Sequence, residues 1–374
     1  MPLLNLRTIP HHAITAAAWL FVDSTALFAG PMTQAPGSIP NTPAGFSNIT
    51  IPPSPPPGFN PLAASDAELA FHGFPPRPDA SKNPDAYSHW SKLMAGAKRR
   101  ITPILRQTNI YHKPAQNLGI ADKTAVKPES SGQSTNLSAA STTSTNWSGY
   151  ANYVSSGPFL GNNSYVFAEW TLPFAQQAFG TCTGNWEYSA HWVGFDGFNS
   201  QDVLQAGSEA DAVCSGGSTS QYYGLWIEWY PADEVAISNF PINPGDLIMV
   251  EVWYSSSSPH GNAYLADLTT QQATSMGFNP PSGTTFSGSS VEWVVEAPTV
   301  GNDQSALMNY TAVAWNYATA HSTMNGSSYG PSYAPAGTAY DIYMTTAQGS
   351  TISYCLLYSG NAFAIWCYPY GSAL

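Results

Sequence analysis

Beyond Lys127 the chain has no lysine and no arginine. All eleven basic residues lie in residues 1–127 beside six acids, a balance of +5. The remaining 247 residues carry 17 Asp and Glu, −17, and the two parts together give the net charge of −12. A binder of nucleic acid or of anionic membrane needs a clustered basic face, and the C-terminal part has none. Charge of any kind is scarce, at 9% of residues. A surface whose fixed charges are all carboxylates repels itself at neutral pH and approaches neutrality only near the carboxylate pKa of about 4. The C-terminal part therefore reads as built for low pH. Long hydrophobic runs are missing too: the apolar run 13–22 is too short to span a bilayer, and nothing later exceeds it. No Cys-x-x-Cys occurs, and His191, His260 and His321 stand far apart without ligand spacing, which argues against zinc. Those three histidines are the only side chains of the region able to gain positive charge. Neither a Gly-x-Ser-x-Gly elbow nor a Cys/His pair is present, and acid would in any case remove the neutral imidazole such nucleophiles need.

What is present is divided unevenly along 374 residues. Residues 1–30 resemble a secretory signal, with Arg7, the apolar run and the small-residue stretch Ala26-Leu27-Phe28-Ala29-Gly30. This implies export of a soluble protein to an acidic extracellular medium. Residues 31–63 are rich in Pro, Ser, Thr and Asn, including Pro52-Pro53-Ser54-Pro55-Pro56-Pro57, and cannot build a packed core alone. Apolar spacing predicts helices over 64–71 and 87–105, the second carrying Lys98-Arg99-Arg100, a candidate processing site. Residues 114–145 return to polar, Ser/Thr-rich linker. A small basic helical module tethered to an acidic partner suits an intramolecular prosegment acting in cis, its attraction fading as the partner's carboxylates take up protons. The boundaries read as signal 1–30, propeptide and linker 31–145, and catalytic domain 146–374.

Beyond residue 146 strand follows strand: 165–172, 189–194, 221–230, 247–254, 263–269, 290–296, 311–315, 339–345 and 351–358. Each is aromatic or β-branched and bounded by Gly, Pro, Asn or Ser. The fold class is all-β, a large antiparallel double-sheet β-sandwich of the lectin-like jelly-roll kind, preceded by a partly helical prosegment. The even cysteine count of a secreted chain suggests two disulfides; of three connectivities, the local pairs Cys182–Cys214 and Cys355–Cys367 are the cheapest.

Carboxylates remain as the acid-functioning catalysts. One can act as general base on water beside a hydrogen-bond donor for the oxyanion, and a side-chain amide is a suitable donor because pH does not change its charge. The densest chemistry lies in four segments: Asn146-Trp147-Ser148-Gly149-Tyr150; Ser189 to Gly197 running on to Val203-Leu204-Gln205-Ala206-Gly207; Ile227-Glu228-Trp229-Tyr230-Pro231; and Val291-Glu292-Trp293-Val294-Val295-Glu296. In order and spacing these resemble the glutamic peptidases, the eqolisin family of acid endopeptidases, over about residues 146–297. The resemblance implies a double seven-stranded sandwich behind a removable propeptide, a Gln/Glu catalytic pair falling on Gln205 and Glu296, and site neighbours at Trp147, Trp192, Asp196, Glu228 and Tyr230. In the family's mechanism the Glu activates water and passes its proton to the leaving amine, while the Gln amide holds the oxyanion. It implies polypeptide substrates, a monomer, and no cofactor.

The residues alone could not have chosen that pair. Glu292 and Glu296 share a strand face but lie about 13 Å apart at ~3.3 Å per residue, so a partner must come from another strand. Gln205 by itself reads as a turn residue bonded to the backbone, Glu228 as a structural or pKa-tuning carboxylate, and Trp147 and Trp192 as core. After Glu296 the family commonly continues with Asp and Phe, whereas this chain has Ala297-Pro298, so the strand is expected to end there. A carbohydrate-binding sandwich, or a glycoside hydrolase with carboxylates ~5 to 10 Å apart, are the rival readings. Six sequons stand at Asn48, Asn136, Asn146, Asn162, Asn309 and Asn325.

Overall fold

The computed structural model describes residues 45–120, 139–176, 182–331, 335, 337–357 and 365–369. The secretory signal reading of 1–30, the first part of the proline-rich stretch and residues 121–138 of the linker lie outside them.

One sheet runs, edge to edge, through Ala339–Thr345, Trp147–Tyr153, Ser290–Glu296, Ala190–Phe195, Val203–Ser215, Ser218–Tyr230 and Val235–Ile237, all paired antiparallel. The other runs through Ile365–Pro369, Val313–His321, Tyr165–Thr171, Leu247–Tyr254, Gly261–Asp267 and Gln272–Phe278, also antiparallel. Thr351–Leu357 pairs with both Ala339–Thr345 and Ile365–Pro369, joining the sheets at one edge. Alternate side chains leave a strand on opposite faces. Val193, Phe195, Leu204, Ile227, Trp229, Val291, Trp293 and Val295 therefore turn inward to meet Val166, Trp170, Val250, Val252 and Leu265 in one core. This is the expected β-sandwich.

Several strands start and stop where patterning placed them: Leu247–Tyr254, Ser290–Glu296 and Ala339–Thr345. Others were not foreseen, above all Val203–Ser215. Two disulfides join Cys182 to Cys214 and Cys355 to Cys367, the local pairs. The latter spans directly opposed strand residues.

The N-terminal region packs onto this sandwich. Ser65 caps helix Asp66–Phe71 in a reciprocal box, its hydroxyl accepting from Glu68 N–H while the Glu68 carboxylate accepts from Ser65 N–H at 2.8 Å. Asn83 caps helix Pro84–Gly96, whose first residue is the proline that a first turn tolerates. Leu69, Phe74, Trp90, Leu93 and Met94 meet Tyr165, Phe167, Met249, Trp253 and Tyr264 on the outer face of the second sheet. Each fully buried large side chain contributes roughly 1.5–3 kcal/mol there. The second helix ends at Gly96 and not at Leu105, because a sheet edge captures the chain. Lys98 and Arg99 donate their backbone N–H groups to Gln271 O, and Arg99–Arg100 runs parallel to Gln272 and Ala273. Arg99 and Arg100 of the basic cluster are thus on a strand, with Lys98 just before it, and none of the three is on the helix. Leu105–Gln107 next pairs with Val235–Ile237, and the chain passes from the second sheet's outer face to the first's. Part of the expected linker is likewise sheet: Ala140–Ser144 runs parallel to Ala339–Thr345.

Candidate active site

The site is built on the outer face of the first sheet, around Ala190–Phe195. In register, Ala190 lies between Glu209 and Glu296, Trp192 between Gly207 and Val294, and Gly194 between Gln205 and Glu292. Directly opposed residues share a face, and so do residues two or four apart. Gln205, Glu209, Trp192, Glu292 and Glu296 therefore all point the same way. The neighbouring strands add Trp226, Glu228 and Trp147 to that face, opposite Gly207, Gln205 and Glu296. Glycine is required between them. A Cβ on Gly207 would lie 2.5 Å from Trp192 Cβ, and one on Gly194 would lie 2.9 Å from Gln205 Cβ and 3.2 Å from the Trp192 ring.

An extended segment, residues 110–116, lies across this face. Ile110–Tyr111 pairs with Thr299–Val300, Ala115 N–H donates to Gly197 O at 3.1 Å, and Gln116 N–H donates to Asn146 Oδ1 at 2.8 Å. At its centre the Gln205 amide donates to the carbonyl oxygen of His112 at 2.6 Å, and Lys113 N–H donates to Glu296 Oε1 at 3.1 Å. Two side chains from different strands thus meet on one peptide group. Gln205 and Glu296 are fully buried beneath it.

Glu296 is held at both oxygens. Oε1 also accepts from Asn146 Nδ2 at 3.3 Å, and Oε2 accepts from Trp192 Nε1 at 2.9 Å with His112 Nδ1 3.5 Å away. Burial pushes its pKa up; His112, Trp192 and Asn146 pull it back, and it stays above the ordinary value. The His112 ring stacks on Trp226 at 3.7 Å and 8°, with Nε2 placed 3.2 Å from Glu209 and 3.1 Å from Glu234. Burial alone would push the imidazole pKa down, but hydrogen bonds to Glu209, Glu234 and Glu296 outweigh it and hold the value well above normal. His112 N–H donates to Glu228 Oε2 at 2.9 Å, and burial keeps the Glu228 pKa well above the usual carboxylate range. His112, Glu209 and Glu234 have ligand-type atoms within 4.8 Å of one another, a spacing that the approach of His112 Nε2 to both carboxylates accounts for.

Of the residues named from sequence, Gln205, Glu296, Trp192 and Glu228 converge here. Gln205 sits within a 13-residue strand and not in a turn. Trp147, opposite Glu296 on the next strand, meets Trp192 edge to face at 4.9 Å. Tyr230 lies two residues beyond Glu228 on the same strand. Asp196, in a left-handed conformation (φ 66°), accepts from the backbone N–H groups of Ser287, Gly288 and Ser289 and so fastens a loop, and its charge raises the pKa of Glu292 on the site face. Among the histidines expected to charge, His191 is forced down to about 3 by burial, so the site's cation is His112. Sequence reasoning missed His112, Glu209, Glu234, Trp226 and the role of Asn146. Glu209 was legible, four residues after Gln205 and on its face; His112 carried no local signal. A cavity of about 500 Å³ lies under helix Pro84–Gly96 against Tyr165, Phe167 and Glu251, on the other sheet and away from this chemistry.

Residues 145–365 match the profile of the Peptidase A4 family. The chain is 34% identical over 148 residues to Aspergillopepsin-2 of Aspergillus niger, covering 39% of this chain and 50% of that protein. It is 34% identical over 106 residues to Scytalidopepsin B of Scytalidium lignicola, covering 28% and 38%. The chain thus spans half the length of the first relative and less of the second. A crystal structure of scytalido-glutamic peptidase with a transition state analog inhibitor superposes with a TM-score of 0.47 at 23% identity, over 60% of this chain and 98% of that one. With the profile covering more than half of its residues, the chain belongs to the Peptidase A4 family.

Proposed function

We propose that the chain is a secreted acid endopeptidase, made as a precursor, in which Glu296 is the general base and Gln205 the oxyanion donor. The observation that carries this reading is the pairing of the Gln205 amide with a peptide carbonyl and of Glu296 with the adjoining N–H. For hydrolysis, Glu296 takes a proton from water as it attacks the carbonyl carbon. The Gln205 N–H groups stabilise the negative oxygen, and Glu296 returns the proton to the amine nitrogen as the C–N bond breaks. Neither role needs a metal or a cofactor.

Residues 45–116 act in this reading as an inhibitory prosegment: they cover the site and supply its one imidazolium. Burial is the largest cause of the raised Glu296 pKa, and His112 of the segment is the largest opposing pull. Trp192 and Asn146 donate to the carboxylate and favour its ionised form. Two disulfides suit an oxidising compartment.

The test is cleavage of denatured protein at about pH 2 to 4, where most carboxylates are neutral, with pepstatin and chelators present. Activity is expected to persist with both. Gln205→Ala removes the oxyanion donor and should cost roughly 10²–10³ in kcat; Glu296→Gln should abolish turnover. An active Glu296→Gln protein would remove that residue from the role of base.

A further inference from the structure

We infer that the His112–Lys113 peptide bond is the chain's own first cleavage site, presented there by the His112 ring, which stacks on Trp226 beside Glu209 and Glu234. This rests on the peptidase reading above, and it names a bond which that reading leaves open.

Within the described N-terminal region, this bond alone has its carbonyl on the Gln205 amide and its N–H on Glu296. The chain on either side is held extended, as a substrate must be. Ile110–Tyr111 lies along Thr299–Val300 on the carbonyl side, while Ala115 and Gln116 are held by Gly197 and Asn146 on the amine side. The side chain next to the bond is recognised by shape and charge together. The His112 ring lies parallel to Trp226 at 3.7 Å, and its Nε2 reaches carboxylates of Glu209 and Glu234 at 3.2 and 3.1 Å. An aliphatic side chain in that place would leave two buried carboxylates unpaired, whereas imidazolium or guanidinium satisfies them and stacks.

The step balances with water as the only added reactant. Water oxygen bonds to the His112 carbonyl carbon and gives a proton to Glu296. The C–N bond then breaks, and that proton passes to Lys113 N, leaving a carboxyl group at His112 and an amine at Lys113. In the resting chain Glu296 has no free oxygen for water, since Lys113 and Asn146 occupy one and Trp192 and His112 Nδ1 crowd the other. The groups facing His112 are the carboxyls of Glu209, Glu228, Glu234 and Glu296, with Asp211 behind Glu209. Acid protonates Glu209, Asp211 and Glu228, which burial already pushes up, and so weakens the hold on the imidazolium, while Trp192 and Asn146 go on favouring the ionised form of Glu296.

The full-length chain, purified near neutral pH and shifted to about pH 3, should first yield fragments ending at His112 and beginning at Lys113, identified by mass spectrometry. Being intramolecular, the fraction cut per unit time should hold on dilution by about ten-fold. Lys113→Pro removes the N–H facing Glu296 and should slow this cut about 100-fold. His112→Arg should keep it, and His112→Leu should slow it about ten-fold or more. Because a change at buried His112 can impair folding, a second measurement uses the acid-activated protein on peptides of the sequence Asn-Ile-Tyr-His-Lys-Pro-Ala. The His peptide should exceed its Leu counterpart about ten-fold in kcat/KM, and Glu209→Gln should bring the two close to parity. First ends elsewhere and no preference for the His peptide, in a preparation that still degrades denatured protein, would overturn this inference and leave the peptidase reading standing. A chain that cuts nothing, even after pepsin has removed its N-terminal region, would overturn both.

Discussion

Trp192 donates its indole N–H to the Glu296 oxygen that His112 also approaches, so one side chain both walls the site and sets the protonation of the proposed base. A donor to a carboxylate favours the ionised form. Trp192→Phe should therefore raise the Glu296 pKa and move the acidic limb of the kcat/KM profile to higher pH. One hydrogen bond to a charged group is worth about 1.5–3 kcal/mol, equivalent to one or two pH units. A profile with an unmoved acidic limb would show that the indole acts only as a wall. Asn146 heads one of the six sequons, yet it is buried and its amide is spent on Glu296, Lys113 O and Pro114 O. Glycopeptide mapping of the folded protein should find it unmodified. At this scale the sequence could be misleading: Gln205 reads as a turn residue because Leu-Gln-Ala-Gly has little β-propensity. Its amide meets a peptide 93 residues earlier in the chain.

The helix Pro84–Gly96 carries the clearest pH-sensitive contact outside the site. His89 lies 3.4 Å from Glu169 on the second sheet. Burial pushes the imidazole down to about 4 and the carboxyl up to about 7, so both are neutral between those values. For His89 the folded pKa lies below the unfolded one, so its contribution is present above the unfolded value and lost as pH falls through about 4. For Glu169 the folded value is raised, so its contribution is full at low pH and lost as pH rises through about 7. Docking of the helix should be tightest between about 4 and 7 and loosen in stronger acid, where the site must open. His89→Phe keeps the aromatic contact with Phe167 and removes the titration. It should slow acid activation, read as the time course of N-terminal fragment release; an unchanged time course would dismiss the helix as a pH sensor. Gly194→Ala belongs to this scale as well, since a Cβ 2.9 Å from Gln205 Cβ and 2.8 Å from Leu204 O must push two strands apart. A loss of about 1–3 kcal/mol in thermal or denaturant unfolding is expected.

Strands that read as runs of aliphatic, β-branched and aromatic residues, such as Leu247–Tyr254, were legible to the residue. Val203–Ser215 was not, for a physical reason: it is central and covered on both faces, and close packing selects Ala, Gly and Ser, which blurs the two-residue period. The helical pattern read through to Leu105 failed differently. Helical spacing continues past Gly96, but the backbone of Lys98 and Arg99 finds acceptors on a sheet edge that local spacing cannot reveal.

Among the described residues several buried carboxyls move up together, while the exposed Glu68 and Asp79 are lowered by hydrogen bonds from neighbouring serines. Burial holds Glu169 and Asp202 up to about 7, and it pushes Glu228, Glu251 and Glu292 well above the usual range. A carboxyl with a raised folded pKa contributes stability that is full below its unfolded value and lost as pH rises through the folded one. The melting temperature should therefore increase as pH is lowered from about 7 to about 4, measured on the Glu296→Gln chain so that self-cleavage does not intrude. A Tm that falls over that range would mean that ionised, paired carboxylates dominate instead.

The charge ledger, the strand punctuation, the even cysteine count and the four motif segments are properties of composition and local spacing, and the sequence alone determined them. An all-β scaffold follows from that much. Where the N-terminal region goes, and which of its peptide bonds comes to lie between Gln205 and Glu296, was decided only by the tertiary structure. Strand register brings an amide and a carboxylate from separate strands onto one face, and a sheet edge steers a distant segment across it. Pairings of that kind join residues far apart in the chain, and no local pattern encodes them.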